Sequence, residues 1–289
     1  MRLYIIGNGF DIMHGLQTGY SNFKAYVQKH NQNLFDAIEE FLPVGDMWNE
    51  LESALGAIDY YNILDKNECF LVPYGHEDYK DRDYDTYRYE VAQTTNLLSK
   101  RLKEHFTDWI RSVDIGPANT PLNYIPFIPL DSLFFSFNYT ATLQQIYRIP
   151  CSHIKHIHGN CHNGDKLELG HAFMSKGSKN NEDGPDQDTR ITNAYWEIDN
   201  YLIETLKPVD EIINAEISYF SSLKNVDEVY VFGHSLSEVD GRYFAKIKES
   251  IQPNTRWIVA LYVDEEKSGR LEDYGIQSSD ISYVWYKNL

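Results

Sequence analysis

Cysteine is scarce in this chain of 289 residues: there are three, Cys69, Cys151 and Cys161, and no two are spaced as a C-x-x-C pair. That excludes a disulfide framework and the common structural zinc modules, and it matches a reducing compartment. Long apolar runs are missing as well. The opening Met1-Arg2-Leu3-Tyr4-Ile5-Ile6 turns to glycine too soon for the core of a secretion signal. The expected location is therefore cytoplasmic, with no membrane role. Basic residues are the third shortage, since 26 Lys and Arg face 43 Asp and Glu and leave a net charge of −17. Such a surface repels nucleic-acid backbones and anionic lipid, so direct nucleic-acid binding is not expected, although one basic cleft would be compatible with it.

What is present is enough apolar material, 42% of residues, for a chain of this length to fold without disulfides or metal. Buried strands are predicted at Leu3 to Ile6, Ser132 to Phe137, His153 to His158, Val229 to Phe232, Trp257 to Tyr262 and Ile281 to Trp285. Helical periodicity is predicted from Ser21 (with Ser21 or Asn22 as N-cap), over Leu34 to Phe41, Met47 to Ile58, Tyr87 to Ser112, Ala141 to Tyr147, Tyr195 to Leu223 with a break near Pro208, and Glu238 to Glu249. The stretch His76 to Glu90 reads as a solvated connection, and Met174 to Thr189, almost wholly polar, as a mobile loop, a lid or disorder. Strands separated by helical stretches imply an α/β fold, a mostly parallel sheet with helices on both faces and helical insertions.

Four segments lie where a predicted strand stops, the place where open α/β sheets bind ligands. Gly7-Asn8-Gly9-Phe10-Asp11 is a glycine loop that allows close approach of a phosphate, although Ile12 stands where a dinucleotide fingerprint carries its third glycine. The alternative is a tight strand-to-helix turn. Asn138 in Ser136 to Thr140 offers an amide that donates and accepts; it orients water or a carboxamide, or else caps the helix after it. His156 and His158 alternate onto one face of their strand and suggest a zinc pair, but no motif supplies a third ligand, and no metal is expected. His158, before Gly159, is better placed as a general base, the alternative being a histidine satisfied at a strand end. Gly233-His234-Ser235-Leu236-Ser237 imitates a nucleophile elbow, yet Ser237 replaces its last glycine and no histidine follows His234, which the hydrolase order requires.

Taken together, these segments resemble the AbiH family of bacterial abortive-infection proteins. The matching pieces are Ile5 to Asp11 with His14-Gly15-Leu16, Thr18 and Tyr20; Trp48 with Leu51-Glu52; Phe137 to Thr140 with Leu143; Ile157-His158-Gly159; and Phe232 to Ser237 with Asp240. The resemblance implies a role in stopping phage propagation. A remoter similarity, to sirtuin-like Rossmann folds that cleave NAD, implies a Rossmann-like domain over residues 1–289. It carries a helical insertion at about 20–115 and a polar loop at about 174–189. Carried over by position, Gly7, Asn8, Gly9 and Phe10 line the nucleotide, with Gly233, Ser235 and Asp240 completing its pocket. Asn138, His158 and Asp11 are the catalytic residues. Thr140 departs from that pattern, which has an Asp there, and the zinc module is absent, so deacetylation is not implied. NAD is the expected substrate, with no bound cofactor. The expected partners are a nucleotide and either further copies of the chain, for which its 22 Tyr would suit an interface, or a defence-system protein. The alternatives are a nucleotide-binding sensor or scaffold without turnover, and a metal-dependent hydrolase using His156 and His158.

Overall fold

Leu3, Tyr4, Ile5 and Ile6 are all buried, although successive side chains of a strand point to opposite faces. Such a strand needs cover on both sides, which is the condition of a parallel sheet. The structure, a computed structural model, describes residues 1–116, 128–129, 132–172, 178, 187–261 and 270–286. Among these residues six strands form: β1 (Arg2–Ile6), β2 (Leu133–Ser136), β3 (Ile154–His156), β4 (Glu228–Phe232), β5 (Arg256–Leu261) and β6 (Ile281–Trp285). All pair in parallel, in the order β3-β2-β1-β4-β5-β6. On one face Tyr4, Phe134 and Phe232 pack with Phe10, Leu143 and Tyr147. On the other, Phe135 meets Tyr219, Phe220 and Tyr243, from the helices Ile217–Ser222 and Gly241–Ser250. The protein is thus α/β with helices on both faces of an all-parallel sheet.

That strand order is the doubly wound one, in which the chain steps outward from β1 through β2 and β3, then restarts beside β1 with β4. The direction reverses between β1 and β4, the point at which doubly wound sheets bind ligands in the crevice outside the carboxyl ends of their strands. Register places Ile6 opposite Phe232, and the two turns that follow, at Gly7 and Gly233, are neighbours.

The chain divides into two compact units. Met1–Gly19, Thr107–Glu168 and Pro208–Leu289 form the first, which holds the whole sheet; Tyr20–Phe106 and Leu169–Lys207 form the second. The second unit is helical. Its helices include Tyr20–His30, Gln32–Phe41, Tyr60–Asn67, Asp83–Asn96 and Thr189–Thr205, and Phe23 packs edge-on against Trp48 and Phe106 in its core. Asn31 caps one helix by accepting the Leu34 amide, and Asp188 caps another through Arg190.

Local readings change in detail. The predicted helix from Tyr87 to Ser112 is two helices, Asp83–Asn96 and Leu102–Ser112, joined by a π-helical turn at Leu97–Arg101. Its early start makes the second half of the expected connection His76 to Glu90 helical. Met47 to Ile58 contains just the short helix Leu51–Leu55, because Trp48 takes a left-handed backbone with φ 58° that helices exclude. Pro150 opens a 3₁₀ turn at Cys151–His153, so β3 starts later than its histidine-rich sequence suggested. The polar stretch at 174–189 lies almost entirely outside the described residues. No helix among the described residues is long and apolar enough to cross a membrane.

Candidate functional site

The glycines at the crevice serve the approach of two turns. Gly7 N–H donates to Phe232 O (2.9 Å), Gly9 N–H to Gly233 O (2.7 Å) and Phe10 N–H to Gly7 O (2.9 Å). A Cβ on Gly7 would stand 2.5 Å from His234 Cα, and one on Gly233, where φ is +62°, 2.0 Å from Phe10 N. The backbones therefore meet directly, and these three amides are engaged within the protein. Asn8 Nδ2 donates to Thr18 O (2.7 Å), Phe10 is fully buried in the core, and Ser235 is exposed. The spacing of the glycines was legible in the sequence; their use in packing β1 against β4 was not.

Beside this junction Asp11 is buried on the short helix Asn8–Met13. Its Oδ2 accepts from Thr140 Oγ1 at 2.5 Å. Thr140 has one hydroxyl proton, already given, so the 3.0 Å contact to Thr142 Oγ1 is donated by Thr142. Burial pushes the Asp11 carboxyl up to about 6, against the pull of Thr140, Thr142 and Asn138, which favour the charged form. The Asn138 amide faces the carboxylate but closes no hydrogen bond of ordinary length. Among the described residues neither Asn138 Nδ2 and Oδ1 nor Asp11 Oδ1 has a hydrogen-bond partner, though all are buried. Asn138 is not the N-cap of the following helix: that position is Ala141, ahead of Thr142–Gln145. Buried polar atoms left unmatched are costly, and three of them stand in this cluster. Cys161 lies nearby, but burial raises its thiol to about 11, so it stays protonated.

The second cluster gathers around Phe137. Its ring stands edge-on to His158 (5.4 Å between centroids) and His234 (4.4 Å), while Tyr139 and Tyr243 add further walls to His158. Asp240 lies between the imidazoles, Oδ1 at 3.8 Å from His158 Nε2 and Oδ2 at 3.4 Å from His234 Nε2. These are ion-pair separations, longer than hydrogen bonds. In the sequence, the signal for His234 is its position directly after a strand-ending glycine.

His156 has another occupation. Nδ1 donates to Asn138 O (2.9 Å), which leaves Nε2 to accept from Gln144 Nε2 (2.9 Å) and Asn160 Nδ2 (3.1 Å). Both ring nitrogens are thus engaged, and burial lowers its pKa. It sits in β3 with its ring held away from the pairing that alternation suggested with His158. Among the described residues no three His, Cys, Asp or Glu side chains are grouped to hold a metal ion. His14 is also structural, with Nδ1 donating to Phe10 O (2.6 Å) and Nε2 accepting from Tyr147 OH (2.7 Å).

In the helical unit, Tyr20 and Glu52 share a 2.5 Å hydrogen bond, and Lys207, its side chain wholly buried, reaches the same carboxylate at 2.7 Å. Trp48 donates to Glu39 Oε1 (2.6 Å). These motif residues hold the unit together.

A family model described as bacteriophage abortive infection AbiH matches residues 3–261. No curated protein matches the chain.

Proposed function

The chain belongs to the AbiH family of bacteriophage abortive-infection proteins, and from that premise we propose that it acts as an enzyme, cleaving NAD to nicotinamide and ADP-ribose. The observation that carries this reading is the buried set Asp11, Asn138 and Thr140, with unmatched polar atoms; His158 stands against Phe137 and Tyr139, the residues on either side of Asn138 in the chain. In the reaction, the bond between the ribose carbon and the nicotinamide nitrogen breaks and its electron pair leaves with nicotinamide. A water oxygen bonds to that carbon and gives its proton to His158. The sugar carries positive charge as the bond breaks, and a carboxylate in a poorly screened site opposes that charge strongly. Asp11 is such a group, ionised at neutral pH and held by Thr140. Asn138 can orient the nicotinamide carboxamide or the water. Thr140 thereby meets the departure noted in the sequence, since its hydroxyl positions a carboxylate supplied from residue 11.

The sensor reading draws on burial. Asp11, Asn138 and His158 are 1%, 5% and 3% exposed, so a nucleotide reaches them after the crevice opens. A resting protein would then bind without turning over. Incubating the purified protein with NAD separates the two, with folded His158→Ala and Asn138→Ala variants alongside. Release of nicotinamide by the wild type and at least 100-fold less by each variant is the outcome expected for general-base and positioning roles, at roughly 10²–10⁴-fold. NAD binding without release would favour the sensor, and neither binding nor release would remove NAD as the ligand.

A further inference from the structure

The turn after β4 fixes a proton. His234 Nδ1 accepts the Leu236 amide at 2.8 Å, and a ring nitrogen that accepts carries no proton. The proton of neutral His234 is therefore on Nε2, the nitrogen 3.4 Å from Asp240 Oδ2. The other oxygen of Asp240 stands 3.8 Å from His158 Nε2. An ionised carboxylate can accept and never donate, so the imidazole nitrogen it favours on each side is one bearing hydrogen. Phe137 and Tyr243 present ring edges to this group and Phe244 stands against His234, which keeps the local dielectric low.

The geometry points to Asp240 and His234 as positioning residues for His158: Asp240 holds His158 in its Nε2–H form, which puts the basic lone pair on Nδ1, and His234 sets the rotation of the Asp240 carboxylate. The assignment rests on the reading of His158 as the base, and it moves Asp240 from the nucleotide pocket to the support of that base. When water is activated, its proton goes to Nδ1 and Asp240 stays ionised against the resulting imidazolium.

The consequence is specific to an amide at position 240. In Asp240→Asn the side-chain oxygen must serve the N–H of His234, whose tautomer Leu236 dictates. The amide NH₂ then turns to His158 and forces it into the Nδ1–H form. The test is the nitrogen spectrum of the full chain labelled in histidine, with His158 and His234 assigned by single His→Gln replacements. The expected result is Nε2–H at both residues in the wild type. In Asp240→Asn, His158 switches to Nδ1–H and His234 does not change. Nicotinamide release by that variant is expected to fall ~10²-fold or more in kcat with KM unchanged, as a base in the wrong tautomer does.

Nδ1–H at His158 in the wild type would overturn the assignment without recourse to any variant. So would an unchanged His158 tautomer in a folded Asp240→Asn protein, or a rise in KM at constant kcat, which would return Asp240 to the nucleotide pocket. A tautomer switch in a protein that never releases nicotinamide would support the relay and count against the hydrolase reading, so the two ideas fail separately.

Discussion

Asp11 shows how much one buried carboxyl can cost and what it offers in return. Its pKa stands near 6 in the fold against 3.8 for an unperturbed carboxyl, with burial as the largest cause. Between those values the folded state holds a proton that the unfolded chain releases, so stability falls as pH rises through this window. Above it both states are ionised and the full cost persists, on the order of 3 kcal/mol. Asn at this position keeps an acceptor for Thr140 and removes the charge. Asp11→Asn is therefore expected to raise the melting temperature at pH 7 and above, with the gain shrinking to nothing below about pH 4. Melts of both proteins across that range would check it, and a constant difference at every pH would contradict it. If Asp11 opposes the charge on the sugar as proposed, the same replacement abolishes nicotinamide release.

At the scale of elements, the junction of the β1 and β4 turns leaves no room for side chains at its glycines. Gly233 has φ of +62°, and the space for a Cβ is taken by the backbone of Gly9 and Phe10. Backbone cannot step aside as a flexible side chain does, so Gly233→Ala is expected to cost about 3 kcal/mol or more, shown by a lowered denaturation midpoint. Gly15, also at positive φ but with open space around it, provides the comparison. Its replacement by Ala pays for the backbone conformation alone, about 1 kcal/mol. If the two variants melted alike, close approach of the turns would not be the reason for glycine at 233. The continuous helical pattern from Tyr87 to Ser112 contains the π turn Leu97–Arg101, which leaves no mark on periodicity.

For the molecule as a whole, the helical unit is closed by residues far apart in sequence. Tyr20, with which it begins, and Lys207, with which it ends, meet on the carboxylate of Glu52. The ammonium of Lys207 lies on a fully buried side chain, so removal of Glu52 takes from that charge a carboxylate 2.7 Å away. Glu52→Ala is expected to lose roughly 3–5 kcal/mol, whereas Glu52→Gln, which retains an acceptor, should lose less. Urea denaturation of the three proteins would measure this, and equal stability would show that the pair contributes nothing. The net charge of −17 belongs to this scale too, because it describes the surface and says nothing about a buried lysine paired within the fold.

The sequence alone determined the strands and the fold class, since apolar runs and periodicity are local and a doubly covered sheet needs both. It also determined which residues would stand at the carboxyl ends of strands, because Gly7, Asn138, His158 and Gly233 follow apolar runs in the linear pattern. Tertiary structure decided what each group does there. That Asp11 answers to Thr140, that Asp240 stands between His158 and His234, and that His156 is consumed by Asn138, Gln144 and Asn160 depends on residues up to 129 positions apart. Burial, tautomer and hydrogen-bond partner are properties of neighbours in space, and a linear chain specifies those through the fold.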